Sequence, residues 1–506
     1  MINALFLCIF LNIQSQKINS NITKQKNMKT KIKLLIGLVL ISFISVKANN
    51  VNITGTSVAG SNVTFNISWD NSWNANVAPN NWDAVWVFVK YQDCATRLWN
   101  HAGLSTLAGD HTAGSPLQVD PVSDGKGVFI RRSSLGGGST GNVSITLKMT
   151  IPAGTYNYKV FGIEMVSVPQ GSFDVGDGVS SSTYNSININ ATSQSSGISS
   201  ATLGGASVAV PSTFPMGYNA LYCMKYEITQ EQYVEFLNSL TYTQQAARVT
   251  ADPISAAGTY AFANANRNGI RISVPGSNAA LPAVFACDLS PGIENNSDDG
   301  QNIPCTYLSW GDLAAYLDWA ALRPMTELEY EKICRGPLPR VAGEYPWGST
   351  NINQVYNTLG GLVNDNTNSE SYSPVTNGQC AYGVASAAAA YGPLRAGIFA
   401  TSSSGRESAG ATYYGVMEMG GNVYERTIIT SNASGVAFTG TLGDGTLLSS
   451  GESNVTNWPS PTTATGVGQR GGQWVSAATL VRTSDRSQVT SVDAARTYVM
   501  GGRGVR

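Results

Sequence analysis

The sequence predicts an α+β protein in which an all-β sandwich is followed by a larger domain with low regular secondary structure. Three observations lead there. Residues 49–162 carry period-two apolar alternation and no helical stretch of comparable strength. Beyond residue 164, short capped helices are separated by long irregular loops. Charged residues make up 12% of the 506-residue chain, about half the usual share, with 10 Trp and 22 Tyr beside abundant Gly, Ser, Thr and Asn. That composition belongs to loop-rich, extracellular-type modules, and an apolar fraction of 42% argues against disorder.

Residues 1–27 precede a second start methionine and read as an upstream extension of the frame. From Met28, "MKTKIKLLIGLVLISFISVKANN" has a lysine-rich start, an apolar run from Leu34 to Ile44, and small residues Val46 and Ala48 before a cut near Asn49. Residues 28–48 are therefore expected to be a signal peptide, and the chain to be secreted or displayed at the cell surface, with the periplasm as the alternative. The run is too short for the roughly 20 residues of a membrane helix. No later stretch suits one, so the mature chain is expected to have no membrane span. The net charge is −1 and no basic run follows the N-terminus, which excludes nucleic-acid binding by a broad basic patch.

The sandwich, residues 49–162, is legible strand by strand. In "NVTFNISW", Val63, Phe65, Ile67 and Trp69 alternate with polar residues. "DAVWVFVKY" is apolar on both faces, as a strand between two layers would be. "NVSITLKMTI" alternates again, and "TYNYKVFGIEM" follows a Pro-Ala-Gly turn. "SLGGGSTGN" at 134–142 lacks the Lys-Ser/Thr ending of a phosphate loop and reads as a hairpin turn. Trp69, Trp73, Trp82, Trp86 and Trp99 read first as strand packing, and alternatively as an aromatic face for sugar.

In the second region, 164–506, Thr229 with Gln232, Ser309 with Asp312, and Thr326 with Glu329 make capping boxes that open three helices; Gly336 stops the third. Residues 360–412, rich in Gly, Ser, Ala and Asn, read as an elaborated surface loop. Six cysteines follow the cut and permit one or two disulfides, Cys287 with Cys305 being one pairing; Cys334, within a helix, reads as a buried small residue. Both histidines, His101 and His111, read as solvated loop residues. None lies beyond 111, which excludes a Ser-His-Asp or Cys-His pair within the second region. Glu327, Glu329 and Glu331 read as helix-stabilising, and Arg470, Arg482, Arg486, Arg496, Arg503 and Arg506 as anchors for carbonyls and carboxylates.

Seven pieces occur in a recognisable order: "MVSVPQGSFDVGDG", "YCMKYEITQEQYVEFLN", "YLSWGDLAAYLDWAALRPMTELEYEKICRGP", "YPWG", "YGVMEMGGNVYER", "RGGQW" and "GGRGVR". Together they resemble the formylglycine-generating (sulfatase-modifying factor) domain, over roughly 164–506 with an insertion at 360–412. The resemblance implies a compact α+β fold of C-type-lectin-like character. In active members two cysteines, five positions apart after the RGG-S-[WY] motif, bind copper(I) and oxidise a substrate cysteine, soft sulfur suiting a soft ion. The matching positions here are Ser476 and either Val481 or a short deletion, so no catalytic residues and no copper are expected. A second branch uses a histidine-ligated iron, which two histidines cannot build.

The resemblance also implies structural calcium, held by Glu418, the carbonyls of Gly421 and Val423, and Glu425; the family often has Asn or Asp where Glu418 stands. A second calcium site would begin at Asn357 and Thr358. The tail lies where active members keep the substrate pocket, which makes Ser476, Thr479 and Arg482 the candidate ligand contacts. The expectation is a secreted or surface-exposed, non-catalytic relative: a calcium-braced scaffold for an extracellular glycan or protein ligand, or for surface assembly. Its rivals are a sulfur-oxidising oxidoreductase, as the family implies, and a structural part of a cell-surface, gliding or secretion apparatus.

Overall fold

The computed structural model describes residues 50–94, 96–277, 281–356, 361–384, 390–492 and 494–506. The expected upstream extension and signal peptide lie outside the described residues.

Alternation decides the first sheet. Strand β1 (Asn52–Ala59) pairs antiparallel with β2 (Asn62–Ser68), where Val63, Phe65 and Ile67 are buried and their polar neighbours face outward. Strand β3 (Asp83–Asp93) belongs to a second sheet and is apolar on both faces for a visible reason. Val85, Val87 and Val89 meet the Val63–Phe65–Ile67 face to close the sandwich core. Ala84, Trp86 and Phe88 point the other way, into the core of the second region. There Trp86 Nε1 donates to the Ala320 carbonyl at 2.9 Å.

The second sheet continues through β4 (Trp99–His101), β5 (Leu117–Pro121), β6 (Val128–Arg132), β8 (Tyr156–Val168), β9 (Leu221–Met224), β10 (Arg323–Pro324) and β13 (Gly504–Val505), while β7 (Val143–Thr150) pairs with β2. Its order is β10-β13-β9-β8-β3-β6-β5, with β4 on the end of β3. Strand β8 runs through the expected domain boundary: Tyr156–Val166 pair with β3, and Met165–Val168 pair with β9. One sheet thus serves both regions, and the two form one compact unit.

The three foreseen helices form, each with both capping-box bonds: α1 (Gln230–Leu237), α3 (Trp310–Trp319) and α4 (Glu327–Arg335). Gly336 ends α4 at φ 67°. Helix α2 (Tyr242–Arg248) was not foreseen, although Thr241 and Gln244 make the same box; its exposed face is polar, and only Gln245 and Arg248 are buried. Two further strands, β11 (Glu425–Ile428) and β12 (Val467–Arg470), pair antiparallel beneath the site described below. No helix among the described residues is long and apolar enough to cross a membrane.

Four expectations need correction. The glycine-rich segment is not a hairpin turn: it passes between the two sheets, and Gly136–Gly138 pair with Ser72–Asn74. The histidines are packed, not solvated. His101 stacks on Phe88 with Nε2 at 2.6 Å from the Lys126 carbonyl, and buried His111 places Nε2 at 2.8 Å from the Ser105 carbonyl. All six cysteines are free thiols, Cys94 exposed and the others buried, so the expected disulfide is absent and Cys287 and Cys305 sit in the core as small apolar residues. The 360–412 segment is only partly a surface loop: most of residues 361–377 are exposed or half-buried, but Leu394, Ala396, Ile398 and Phe399 are buried. Its composition concealed one fully buried carboxylate, Glu370, which binds Arg267 and accepts from the Arg395 amide at 2.9 Å. The tryptophans follow the packing reading: four of the five are fixed by packing or by a partner, including Trp73 on Asn81 and Trp82 on Tyr222, while Trp99 is half-buried with no side-chain hydrogen bond to a described residue.

Candidate functional site

The segment "MEMGGNVYE" makes a tight turn before β11. Glu418 and Asn422 adopt φ 49° and 60°, and Gly421 φ 78°. A side chain on Gly421 would also meet the Ala381 carbonyl at 2.5 Å, so the position requires glycine twice over. Asn422 fixes the turn by bonding both ways with Leu394, its Oδ1 accepting from the amide at 2.8 Å and its Nδ2 donating to the carbonyl at 3.2 Å.

Three buried carboxylates and one buried guanidinium converge here. Glu227 accepts from the Val423 amide at 3.0 Å and from Asn422 Nδ2 at 2.8 Å. Glu418 accepts from the Gly397 amide at 2.8 Å through Oε1. Glu425 accepts from Arg503 Nε at 2.5 Å through Oε1, and another nitrogen of Arg503 donates to the Glu418 carbonyl at 3.1 Å. The remaining oxygens, Glu418 Oε2 and Glu425 Oε2, are buried without a hydrogen-bond partner. Burial pushes all three acids upward, Glu418 to about 7 and Glu227 well above its usual range; Glu425 adds to the rise of both and Glu418 to that of Glu227, while Arg503 opposes the rise in each. Such a nest of hard oxygens with surplus negative charge takes up either protons or a hard cation.

The sequence-derived set Glu418, Gly421, Val423 and Glu425 therefore lies together in one turn. Glu227 and Arg503 were missed as its neighbours. Glu227 stands 196 residues before Val423, and no spacing rule reaches that far. No group of three or more His, Cys, Asp or Glu side chains among the described residues is arranged to hold a metal, so any ion at this turn depends on main-chain carbonyls as well. Asn357 and Thr358, expected to begin a second calcium site, lie outside the described residues.

The tail positions are filled differently from one another. Ser476 is buried; its hydroxyl accepts from the Gln473 amide at 3.0 Å and donates to the Tyr424 hydroxyl at 3.3 Å. Val481 is fully buried against Tyr345, Trp347 and Cys380. Thr479 is exposed, and half-buried Arg482 lies beside Gly343 near Tyr345. The three candidate ligand contacts thus share no common partner. The inserted segment crosses this region: the Gly383 amide donates to the Ser476 carbonyl at 2.9 Å and the Val384 amide to the Trp474 carbonyl at 3.1 Å. Trp474 is fully covered. Cys380 is the one thiol packed against Val481; its Sγ donates to the Gly420 carbonyl at 3.2 Å, and burial pushes its ionisation far up. A protonated, isolated thiol is a poor metal ligand and a poor nucleophile.

Comparison with known proteins places this geometry. The sulfatase-modifying factor enzyme 1-like domain matches residues 157–506. The chain is 29% identical over 132 residues to the formylglycine-generating enzyme of Bos taurus, covering 26% of this chain and 34% of the relative. It is 36% identical over 78 residues to that of Thermomonospora curvata (15% and 22%), and 27% identical over 136 residues to that of Mus musculus (26% and 34%). The alignments thus span about a third or less of each relative.

Proposed function

Since the chain belongs to the sulfatase-modifying factor enzyme 1-like domain family, we propose that it uses that family's frame as a non-catalytic, calcium-braced binding scaffold, exported to the cell surface or beyond. One observation carries the reading: the two positions where the family places its thiols hold Ser476, tied to Gln473 and Tyr424, and Val481, sealed in an apolar cluster. Neither supplies a soft ligand or an exchangeable sulfur. The inserted chain supports the same reading, because it bonds to the Trp474 and Ser476 carbonyls and packs over that segment. The oxidoreductase reading would need a second thiol beside Cys380, and Cys223, Cys287, Cys305 and Cys334 are each buried in other apolar clusters.

Copper(I) added to the purified mature chain is accordingly expected to give no cysteine-dependent oxygen uptake above buffer. Uptake that disappears in Cys380→Ser would overturn the non-catalytic reading.

The residues fit calcium. Glu418 and Glu425 would hold it through their partnerless oxygens together with the Gly421 and Val423 carbonyls, and the ion would supply the positive charge that Arg503 alone does not. Calcium at a hundredfold excess over its Kd is expected to stabilise the protein by about 2.7 kcal/mol. Thermal melts with calcium and with a chelator read this directly. Glu418→Gln keeps the oxygen that accepts from Gly397 but loses the charge, and should shrink the calcium increment by more than half. A melt indifferent to both calcium and chelator removes the brace.

A further inference from the structure

A cavity of about 490 Å³ lies away from the Glu418–Glu425 turn, in the seam between the sandwich and the second region. Its volume falls within the roughly 300–1,000 Å³ of small-molecule sites. Four segments distant in sequence build it: the end of β3 with β4, the turn into α2, Trp319 at the end of α3, and residues 445–449. Lys90 holds these segments together from below. Its Nζ, almost wholly buried, donates to the Trp319 carbonyl at 2.7 Å and the Gly445 carbonyl at 2.6 Å. Burial pulls the Lys90 ammonium well below its usual range, against the opposing pull of Asp318 and Asp444.

The lining has a particular chemistry. Half-buried Trp99 presents an indole, and Leu98, 47% exposed, extends the apolar surface. Around them stand neutral polar groups, among them Asn100, Thr243 and Ser449, and no lining residue is acidic. The hydroxyls of Thr243 and Ser449 bond to no other described residue. The guanidinium of Arg97, on the rim, likewise makes no hydrogen bond or ion pair with a described residue. An aromatic face ringed by neutral donors and acceptors complements a pyranose, whose two faces carry C–H groups and whose edge carries hydroxyls. An unpaired arginine at the rim complements a carboxylate.

We propose that this seam pocket binds a saccharide of one or two rings, stacked on Trp99, with Arg97 favouring acidic sugars. The proposal rests on the reading of the chain as a binding scaffold and names the place and class of ligand.

The test uses the full mature chain with three probes: cellobiose, N,N′-diacetylchitobiose and digalacturonic acid, followed by saturation-transfer NMR and titration calorimetry. At least one is expected to bind with a millimolar or tighter Kd. Trp99→Ala should weaken binding at least tenfold. Thr243→Trp, an exposed substitution that fills the mouth, should do the same without touching the core. Arg97→Ala should weaken digalacturonic acid at least fivefold and leave the neutral sugars within twofold. Binding of none of the probes overturns the proposal. So does binding that neither Trp99→Ala nor Thr243→Trp changes, although that outcome leaves a scaffold with its site elsewhere. Loss of the calcium effect on the melt would instead touch only the brace.

Discussion

Replacing Glu327 by alanine is expected to destabilise the protein by about 3–5 kcal/mol, the range for removing one partner of a buried ion pair. Glu327 is the fully buried first residue of α4. Arg486 reaches it at 2.7 and 3.0 Å, Arg470 at 3.2 Å, and the Thr430 amide at 2.7 Å. Arg470 also holds Glu331 at 3.0 Å, so the heavier loss falls on Arg486, left with two carbonyls and the Tyr184 ring. Burial alone would raise the Glu327 carboxyl; the two arginines reverse that and hold it at about 2, against an ordinary 4.5. The sign follows from this depression. The contribution is fully present above the unfolded value of 4.5 and is lost as pH falls towards 2. Urea denaturation of wild type and Glu327→Ala at pH 7 and pH 3 should therefore show a large gap that narrows by on the order of 2 kcal/mol in acid. A gap under 1 kcal/mol at neutral pH would mean that the clamp does not form.

Trp86→Ala is the second large effect, again about 3–5 kcal/mol for a fully buried aromatic. Its consequence is architectural as well as energetic. Trp86 lies on the face of β3 that packs against the second region, meets the Phe129 ring at a tilt with centroids 5.0 Å apart, and donates to the Ala320 carbonyl. Because both regions share that sheet, they should lose stability together. Chemical denaturation followed by a label in the sandwich and a label near the C-terminus should give coincident transitions in wild type and in the variant. Two separated transitions would show that the shared sheet does not couple the regions.

Legibility in the sequence tracked the range of the interactions concerned. Strand alternation and capping boxes are local, and Val63–Phe65–Ile67 and Thr229–Gln232 announced themselves without help from the rest of the chain. Helix α2 carried the same Thr-x-x-Gln signal but lacked the apolar stripe that draws notice. The turn at Glu418–Glu425 was legible because all its members lie within one short segment. Glu227, Arg503 and the contact of Gly383 with Ser476 were not, because each is a long-range pairing of groups whose local sequence is unremarked. The insertion misled for a related reason. Its many small and polar residues describe a loop, while its placement depends on Glu370 and a few apolar side chains.

The sequence by itself determined the main sandwich strands, three of the capped helices and the family to which residues 157–506 belong. These depend on residue identity and near-neighbour spacing, which chain order states outright. Only the tertiary structure decided that the two regions share a sheet, that five cysteines are buried and free, that three acids crowd around Arg503, and that the insertion covers Trp474. Those outcomes depend on which distant segments exclude water from one another, and desolvation and charge pairing acquire their size only after that choice is made.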